Sequence, residues 1–97
     1  MANKKSLVKV RYFGPISFTL GQKEEEFIID SPKIELVELI NRLIKKYGHD
    51  FKELIIKEDG QLKANITVYI NNQRVNGIKD KVCQGDEVYF FIALTGG

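Results

Sequence analysis

"QGDEVYFFIALTGG", residues Gln84–Gly97, is the stretch that decides the fold of this 97-residue chain. Apolar side chains occupy both faces of the run, in two alternating sets: Val88, Phe90 and Ile92, and Tyr89, Phe91 and Ala93. A strand that is apolar on both faces is typical of the buried middle of a sheet. We therefore predict that the last strand is central, and that Thr95-Gly96-Gly97 continues directly from it.

The beginning of the chain predicts a second strand of the same sheet. "LVKVRYF" (Leu7–Phe13) alternates between two faces, which is the periodicity of a strand. Gly14-Pro15 ends the strand, because both residues interrupt regular structure, and a loop is expected from there through Gly21. The face expected to meet the core carries Val8, Val10 and Tyr12.

An acidic run follows the loop and predicts an edge strand. "KEEEFIID" (Lys23–Asp30) lies close enough to the first strand to pair with it as an antiparallel hairpin. Its three consecutive glutamates, Glu24, Glu25 and Glu26, are poor strand formers. Charge on an edge strand discourages pairing with another chain, so we expect these side chains to form a solvated edge.

"DSPKIELVELINRLIKKYG" (Asp30–Gly48) predicts an amphipathic helix packed across the sheet. Ser31 is expected to cap the helix, with Pro32 at its first position, where the missing N–H has no cost. Lys45 and Lys46 complement the negative end of the helix dipole. The stripe expected to face the core is Leu36, Leu39, Ile40, Leu43 and Tyr47, widened by Val37 and Ile44.

The remaining segments complete the predicted topology. "HDFKELII" (His49–Ile56) predicts one short second helix, "ANITVYI" (Ala64–Ile70) a strand, and "NNQ" a turn into a short strand around Val75. The order is two strands, a long helix and three strands. With the last strand parallel to the first and the helix across one face, residues 1–97 form a single α+β domain with the mixed sheet of a β-grasp fold.

Composition excludes several classes of function. Fifteen basic residues against thirteen acidic ones give a net charge of +2, and they are interspersed, so nothing predicts a nucleic-acid surface. The sequence contains no apolar run of signal-peptide or membrane-span length. We expect a cytoplasmic protein that binds neither nucleic acid nor membrane.

The residue types that carry most catalysis are scarce. The single cysteine, Cys83, excludes an internal disulfide and a four-thiolate metal site. Because free cysteines are among the most buried residues, Cys83 is expected to fill space in the core, with redox or thioester chemistry as the alternative. His49 is the single histidine and is expected at a loop or helix end. We find no catalytic triad, phosphate loop or metal site, and predict that the chain alone is not an enzyme.

Two positions near the last strand have predicted roles. Asp86 is expected to shape the turn before it, because aspartate bonds nearby backbone in such turns. The strand's two faces cannot both lie under one helix, so an apolar patch should remain on the open face. Apolar patches of this kind mark partner surfaces, and the candidate docking residues are Tyr69, Tyr89 and Phe91.

These features together resemble the MoaD/ThiS family of ubiquitin-like sulfur carriers and their archaeal modifier relatives. The resemblance runs from "VKVRYF" through "YGHDFKELIIKEDGQL" and "VYINNQRV" to "KVCQGDEVYFFIALTGG". Its most specific part is the terminal Gly-Gly with the Gly-Asp turn ten residues upstream. Two terminal glycines alone arise by chance in roughly one chain in 200. Many members carry prolines before the tail, whereas this chain has Ile92-Ala93-Leu94, a more strand-like exit.

The resemblance implies a specific chemistry at Gly97. An adenylating enzyme of the ubiquitin-activating type uses ATP to activate the Gly97 carboxylate, and sulfur then replaces the adenylate to give a thiocarboxylate. In molybdopterin synthase the tail, here Thr95, Gly96 and Gly97, enters a pocket of the large catalytic subunit. No cofactor is expected to be bound permanently, since ATP belongs to the activating partner. Glycine lacks a Cβ, so such an end fits a narrow active site.

The resemblance favours one function and leaves two others open. The favoured function is a sulfur carrier for molybdopterin synthesis, as the small subunit of molybdopterin synthase, with thiazole or transfer RNA as alternative sulfur acceptors. The second is a protein modifier joined through Gly97 to lysines of target proteins. The third is a β-grasp binding module whose Gly-Gly end has no chemistry, because a shared fold does not fix function.

Overall fold

The computed structural model describes residues 6–92, and within this range the chain forms seven strands and three helices. In chain order they are β1 Leu7–Tyr12, α1 Pro15–Leu20, β2 Glu24–Ile28, β3 Lys33–Glu35, α2 Leu36–Tyr47, α3 His49–Ile55, β4 Ile66–Ile70, β5 Gln73–Arg74, β6 Lys81–Cys83 and β7 Glu87–Ile92. The predicted Thr95, Gly96 and Gly97 lie outside the described residues.

A five-stranded mixed sheet with β7 at its centre forms the body. The strand order is β2-β1-β7-β4-β5. β1 pairs with β2 antiparallel and with β7 parallel, and β4 pairs antiparallel with β7. The prediction that the last strand is central and parallel to the first is confirmed. The predicted α+β β-grasp fold, a mixed sheet with its longest helix against one face, is confirmed as well.

The core lies between the inner face of the sheet and α2. Alternation along each strand sends every second side chain inward, and these side chains meet the apolar stripe of α2. Every large buried side chain of the described residues is apolar apart from the hydroxyl of Tyr12. The strands contribute Val8, Val10, Tyr12, Ile66, Val68, Val88 and Phe90, and α2 contributes Leu36, Leu39, Ile40 and Leu43.

The start of the long helix differs from the prediction. Neither Ser31 nor Pro32 belongs to it, because the residues after them form β3, which pairs antiparallel with β6 in a small separate sheet. Glu35 takes the cap position instead. Its side chain accepts a bond from the Glu38 backbone N–H, and the Glu38 carboxylate accepts one from the Glu35 N–H. This reciprocal capping box satisfies two free N–H groups at the helix start.

Two shorter elements also differ from the prediction. The stretch expected to be a loop as far as Gly21 contains α1, which buries Ile16 completely and ends at Gly21 in the left-handed conformation. The strand expected around Val75 is β5, at Gln73–Arg74, although the Val75 N–H still bonds the Val68 carbonyl. The predicted second helix is confirmed as α3.

None of the helices in residues 6–92 is long and apolar enough to cross a lipid bilayer.

Candidate functional site

The start of β7 is fixed by a cluster of polar side chains. Asp86 accepts hydrogen bonds from the Cys83 backbone N–H at 2.8 Å and from the Asn71 amide at 3.0 Å. Asn71 in turn accepts one from the Glu87 N–H at 3.0 Å. Asn71 has φ = 56°, a conformation that asparagine tolerates better than most residues. The predicted turn-shaping role of Asp86 is confirmed, and the bonds join the β4–β5 turn to β7.

Cys83 lies beside this cluster, and its predicted burial is wrong. The residue is exposed and is the free cysteine of the chain. In the pairing of β6 with β3 the neighbouring Val82 is the buried residue. Because successive strand residues face opposite sides, burying Val82 turns Cys83 outward.

The far end of β7, where the chain continues to the Gly-Gly, lies against the loop after β1. The Phe13 N–H donates to the Phe90 carbonyl at 3.0 Å. A Cβ at Gly14 would lie 3.9 Å from the Ile92 carbonyl oxygen. Because β1 and β7 are parallel, both strands end at the same edge of the sheet. The chain therefore leaves the described body beside the loop that leads into α1.

Four aromatic side chains form a continuous patch on the open face of the sheet, near this exit. We call Phe13, Tyr69, Tyr89 and Phe91 the aromatic patch. The Phe13 and Phe91 rings stack at 4.5 Å, Tyr69 meets Phe91 edge-on at 5.7 Å, and Phe13 lies 6.1 Å from Tyr89. A shallow depression of about 500 Å³ is lined by Tyr69, Tyr89 and Phe91 with Thr67, Asn71 and Asn72.

The structure thus brings together the three residues predicted from the sequence, and adds a fourth. Tyr69, Tyr89 and Phe91 are each half-buried on one face. Phe13, which is 38% exposed, was not predicted to join them. The signal was available, because Phe13 continues the outward alternation of Leu7, Lys9 and Arg11.

Beside the aromatic patch, the same face carries ion pairs. The Arg11 Nε lies 3.5 Å from a Glu24 oxygen and 3.6 Å from a Glu87 oxygen, and its guanidinium is 5.9 Å from the Tyr89 ring centre. Tyr89 donates to Glu87 at 3.1 Å, and this hydrogen bond, followed by burial, raises the pKa of the Tyr89 hydroxyl. We call Arg11, Glu24 and Glu87 the charged strip. It borders the aromatic patch on the β2 side.

The predicted solvated edge is wrong for Glu25. The Glu25 side chain is 9% exposed, because position 25 pairs with inward-facing Val10. Its carboxylate accepts hydrogen bonds from Lys46, from Tyr47 and, at 2.6 Å, from Tyr12. Burial alone would raise the pKa of Glu25, but these bonds outweigh it and lower the pKa.

Glu25 shifts the pKa values of its hydrogen-bond partners in the opposite direction. Burial, then the bond to Glu25, raises the pKa of Tyr12 and of Tyr47, while the bond to Glu25 raises that of Lys46. The cluster joins the end of α2 to β2 at the rim of the core. Every donor already faces an acceptor, so the arrangement favours a structural link between helix and sheet.

Residues 6–92 contain few side chains placed together as catalytic or metal-binding groups. His49 is the first residue of α3 and bonds Glu53 at 2.8 Å one turn away, in keeping with the predicted helix-end position. Among residues 6–92 no group of three or more potential ligands is placed to hold a metal ion. Three surface features of the described residues remain candidates for contact with a partner: the aromatic patch, the charged strip and the chain exit.

Comparison with known proteins gives a consistent answer. The model of the ThiS family matches residues 10–97. A protein from Archaeoglobus fulgidus that is named as a sulfur carrier protein is 34% identical over 93 residues, covering 93% of this chain and 98% of its own.

Solved structures agree with this match. A protein from Pyrococcus furiosus, named as subunit 1 of a molybdopterin converting factor, is 27% identical with a TM-score of 0.69, covering 91% of this chain and 98% of its own. SAMP1 from Haloferax volcanii superposes with a TM-score of 0.76 at 20% identity, covering 94% and 99% of the two chains. At 20% identity, the likeness to SAMP1 shows a shared fold alone.

Proposed function

Because the chain belongs to the ThiS family, we propose that it is a sulfur carrier whose Gly97 carboxylate is converted to a thiocarboxylate. The sulfur then serves molybdopterin synthesis. The observation that carries this proposal is the family match, which extends through Gly97. The central strand of the sheet, β7, ends at Ile92, five residues before Gly97 in the sequence.

The proposed chemistry needs two steps supplied by a partner. An oxygen of the Gly97 carboxylate attacks the α-phosphorus of ATP, pyrophosphate leaves, and an acyl-adenylate remains. A hydrosulfide ion then attacks the acyl carbon and AMP leaves, which gives the thiocarboxylate and a proton. A free carboxylate is a poor acyl donor, so activation must precede sulfur transfer.

The fold supports a carrier role through the placement of its exit strand. β7 is hydrogen-bonded on both sides, to β1 and to β4, and Val88 and Phe90 are fully buried. A tail that continues from such a strand starts from a fixed point. The body then supplies the docking surface, and Gly97 supplies the reacting atom.

We assign docking to the aromatic patch, bordered by the charged strip. Half-buried aromatic rings present a large apolar area to a partner, and aromatic and arginine side chains are enriched in the cores of protein–protein interfaces. The partners we propose are an adenylating enzyme of the ubiquitin-activating type and the large subunit of molybdopterin synthase, acting in the cytoplasm. Catalysis resides in those partners, since members of this family are small non-catalytic carriers.

Among the possible destinations of the sulfur, we choose molybdopterin synthesis because of one comparison. The Pyrococcus furiosus protein named for molybdopterin conversion is similar over nearly the whole of both chains and is 27% identical. Thiazole and transfer RNA remain the alternative acceptors, and attachment to target lysines remains the alternative fate of Gly97.

The mass of the C-terminal peptide from native protein tests the proposal. Trypsin cleavage after Lys81 releases Val82–Gly97, and fragmentation should place one oxygen-to-sulfur replacement at Gly97. Oxidation of Cys83 gives nearly the same mass, so the fragment ions must locate the change. Iodoacetamide also alkylates Cys83, so the second readout is an additional carbamidomethyl group that fragmentation places at Gly97.

Two other results would contradict the proposal. Lysines on other proteins carrying the remnant "VCQGDEVYFFIALTGG", with no sulfur at Gly97, would favour a protein modifier. A variant lacking Gly96 and Gly97 that still supports molybdopterin synthesis in cells deleted for the native gene would show that the tail carries no chemistry.

A further inference from the structure

Phe18 on α1 is the most exposed of the large apolar side chains in the described residues. It is 87% exposed, against 61% for Ile28 and 38% for Phe13. One exposed apolar side chain alone is ordinary on a protein surface. The position of Phe18 relative to the chain exit distinguishes it from Ile28.

α1 is held firmly beside the exit. It follows directly after Gly14, where a Cβ would lie 3.9 Å from the Ile92 carbonyl oxygen, and it packs against β7. Its residue Ile16 is fully buried in the core. The Ser17 hydroxyl donates to the Gly14 carbonyl at 2.8 Å, and the Gly21 N–H donates to the Ser17 carbonyl at 2.9 Å. The helix therefore presents Phe18 outward from an anchored base.

The length of chain beyond the described body limits where a partner can sit. Five residues follow Ile92, and at full extension they span at most about 18 Å. A catalytic site that receives Gly97 must lie within that distance of Ile92. The enzyme surface around the site must therefore contact the rim of the exit, which includes Phe13, Gly14 and α1.

The surface between the aromatic patch and α1 is concave. A depression of about 270 Å³ is lined by Phe13, Gly14 and Ser17, together with Arg11, Tyr12, Lys23 and Glu24. An enzyme surface that covers the aromatic patch and follows this depression reaches α1 next. Phe18 then lies at the outer border of the same contact.

We infer that Phe18 inserts into an apolar pocket of the ATP-dependent enzyme that adenylates Gly97, beside the channel that takes the tail. The inference rests on the proposed function. The adenylating enzyme is the chosen partner because the carboxylate must be activated whether sulfur or a lysine amine receives it. Phe18 acts here as a binding anchor, and it takes no part in the chemistry.

The test is ATP–pyrophosphate exchange by the activating enzyme of the same organism, with the carrier concentration varied. Phe18→Ala should raise the KM for the carrier at least about tenfold, the loss of a modest interface anchor, with kcat unchanged. Phe18→Leu should recover most of the affinity. Ile28→Ala is the matched control, because Ile28 is exposed but pairs with Leu7 at the opposite end of β1. Its KM should equal the native value.

Each other outcome overturns the inference in a recognisable way. A native KM for Phe18→Ala, with normal exchange, overturns the role of Phe18 and leaves the proposed function intact. An equal rise for Phe18→Ala and Ile28→Ala overturns it as well, because location would then not matter. If native protein supports no exchange at all, the proposed function fails and the inference fails with it.

Discussion

Phe90 and Phe91 are adjacent residues of β7 that face opposite sides of the sheet. Phe90 is fully buried in the core beside Tyr12. Phe91 is half-buried on the open face, where it stacks on Phe13. One strand therefore contributes to the core with one face and, in the function proposed above, to docking with the other. The difference shows that two identical side chains one residue apart can lie in very different surroundings.

The largest effect is expected when the inner side chain is removed. Phe90→Ala should lower the free energy of unfolding by about 3–5 kcal/mol, because it leaves a cavity that the neighbouring residues fill only in part. Phe91→Ala should cost about 1 kcal/mol, the value of its aromatic contacts. Urea denaturation of both variants measures the difference. Equal losses of unfolding free energy would mean that Phe91 stabilises the fold as much as Phe90 does.

Phe91, the outward-facing side chain, should matter more than Phe90 for the KM of the carrier in the activation reaction. Phe91→Asp should raise the KM for the carrier in the activation reaction about tenfold to hundredfold, because a charge would be buried against an apolar partner surface. Tyr69→Asp should act in the same direction. Ile28→Asp, on the same face at the far end of the sheet, serves as the control. Unchanged activation of Phe91→Asp and Tyr69→Asp, with normal folding, would remove the aromatic patch from the docking surface.

The inner face also has a charged rim, and its effect depends on pH. The pKa of Glu25 is lowered below its ordinary value of 4.5, so its stabilisation is fully present above that pH. It is lost as the pH falls through the lowered pKa. Glu25→Gln should cost about 1–2 kcal/mol at neutral pH.

The comparison between neutral and acid conditions sharpens this prediction. The stability difference between native protein and Glu25→Gln should shrink as acid protonates Glu25, measured by urea denaturation at each pH. Glu26→Gln, the exposed neighbour, is the matched control and should leave neutral stability unchanged. A difference that stayed constant from neutral to strongly acid pH would rule out the charged form of Glu25 as its source.

The smallest effect is expected on the outer charged strip. Arg11→Gln should change the free energy of unfolding by less than about 1 kcal/mol, because exposed ion pairs contribute little. Its side chain is 39% exposed and those of Glu24 and Glu87 are 53% and 41% exposed. Added salt should reduce the difference further. A loss as large as that of Glu25→Gln would show that the outer face also stabilises the fold.

The sequence predicted the elements whose periodicity is local. The strands β1 and β7 and the apolar stripe of α2 each follow from a single run, and their arrangement followed from the apolar faces of β7. The start of α2 could not be predicted this way. Residues 33–35 pair with residues 81–83, and a pairing between segments so far apart leaves no periodic signal in either one.

The same reason explains the errors at individual side chains. Glu25 belongs to a run that looked solvated, yet its partners Tyr12, Tyr47 and Lys46 come from other elements. Cys83 turns outward because β6, which was not predicted, buries Val82. For the proposed docking surface, the residues of β4 and β7 were predicted, whereas the placement of Phe13 and Phe18 depends on how the loop after β1 folds.

The central position of β7 also determines the order in which the molecule can be completed during synthesis. The hairpin β1–β2 and the pair β4–β5 are joined in the sheet through β7 alone, among the described strands. A nascent chain that has not yet produced β7 holds two separate pieces of sheet, and its core lacks Val88 and Phe90. The parallel β1–β7 pairing spans almost the whole sequence, which is a slow contact to form. An enzyme that recognises the outer face of β7 therefore meets only chains whose body is already finished.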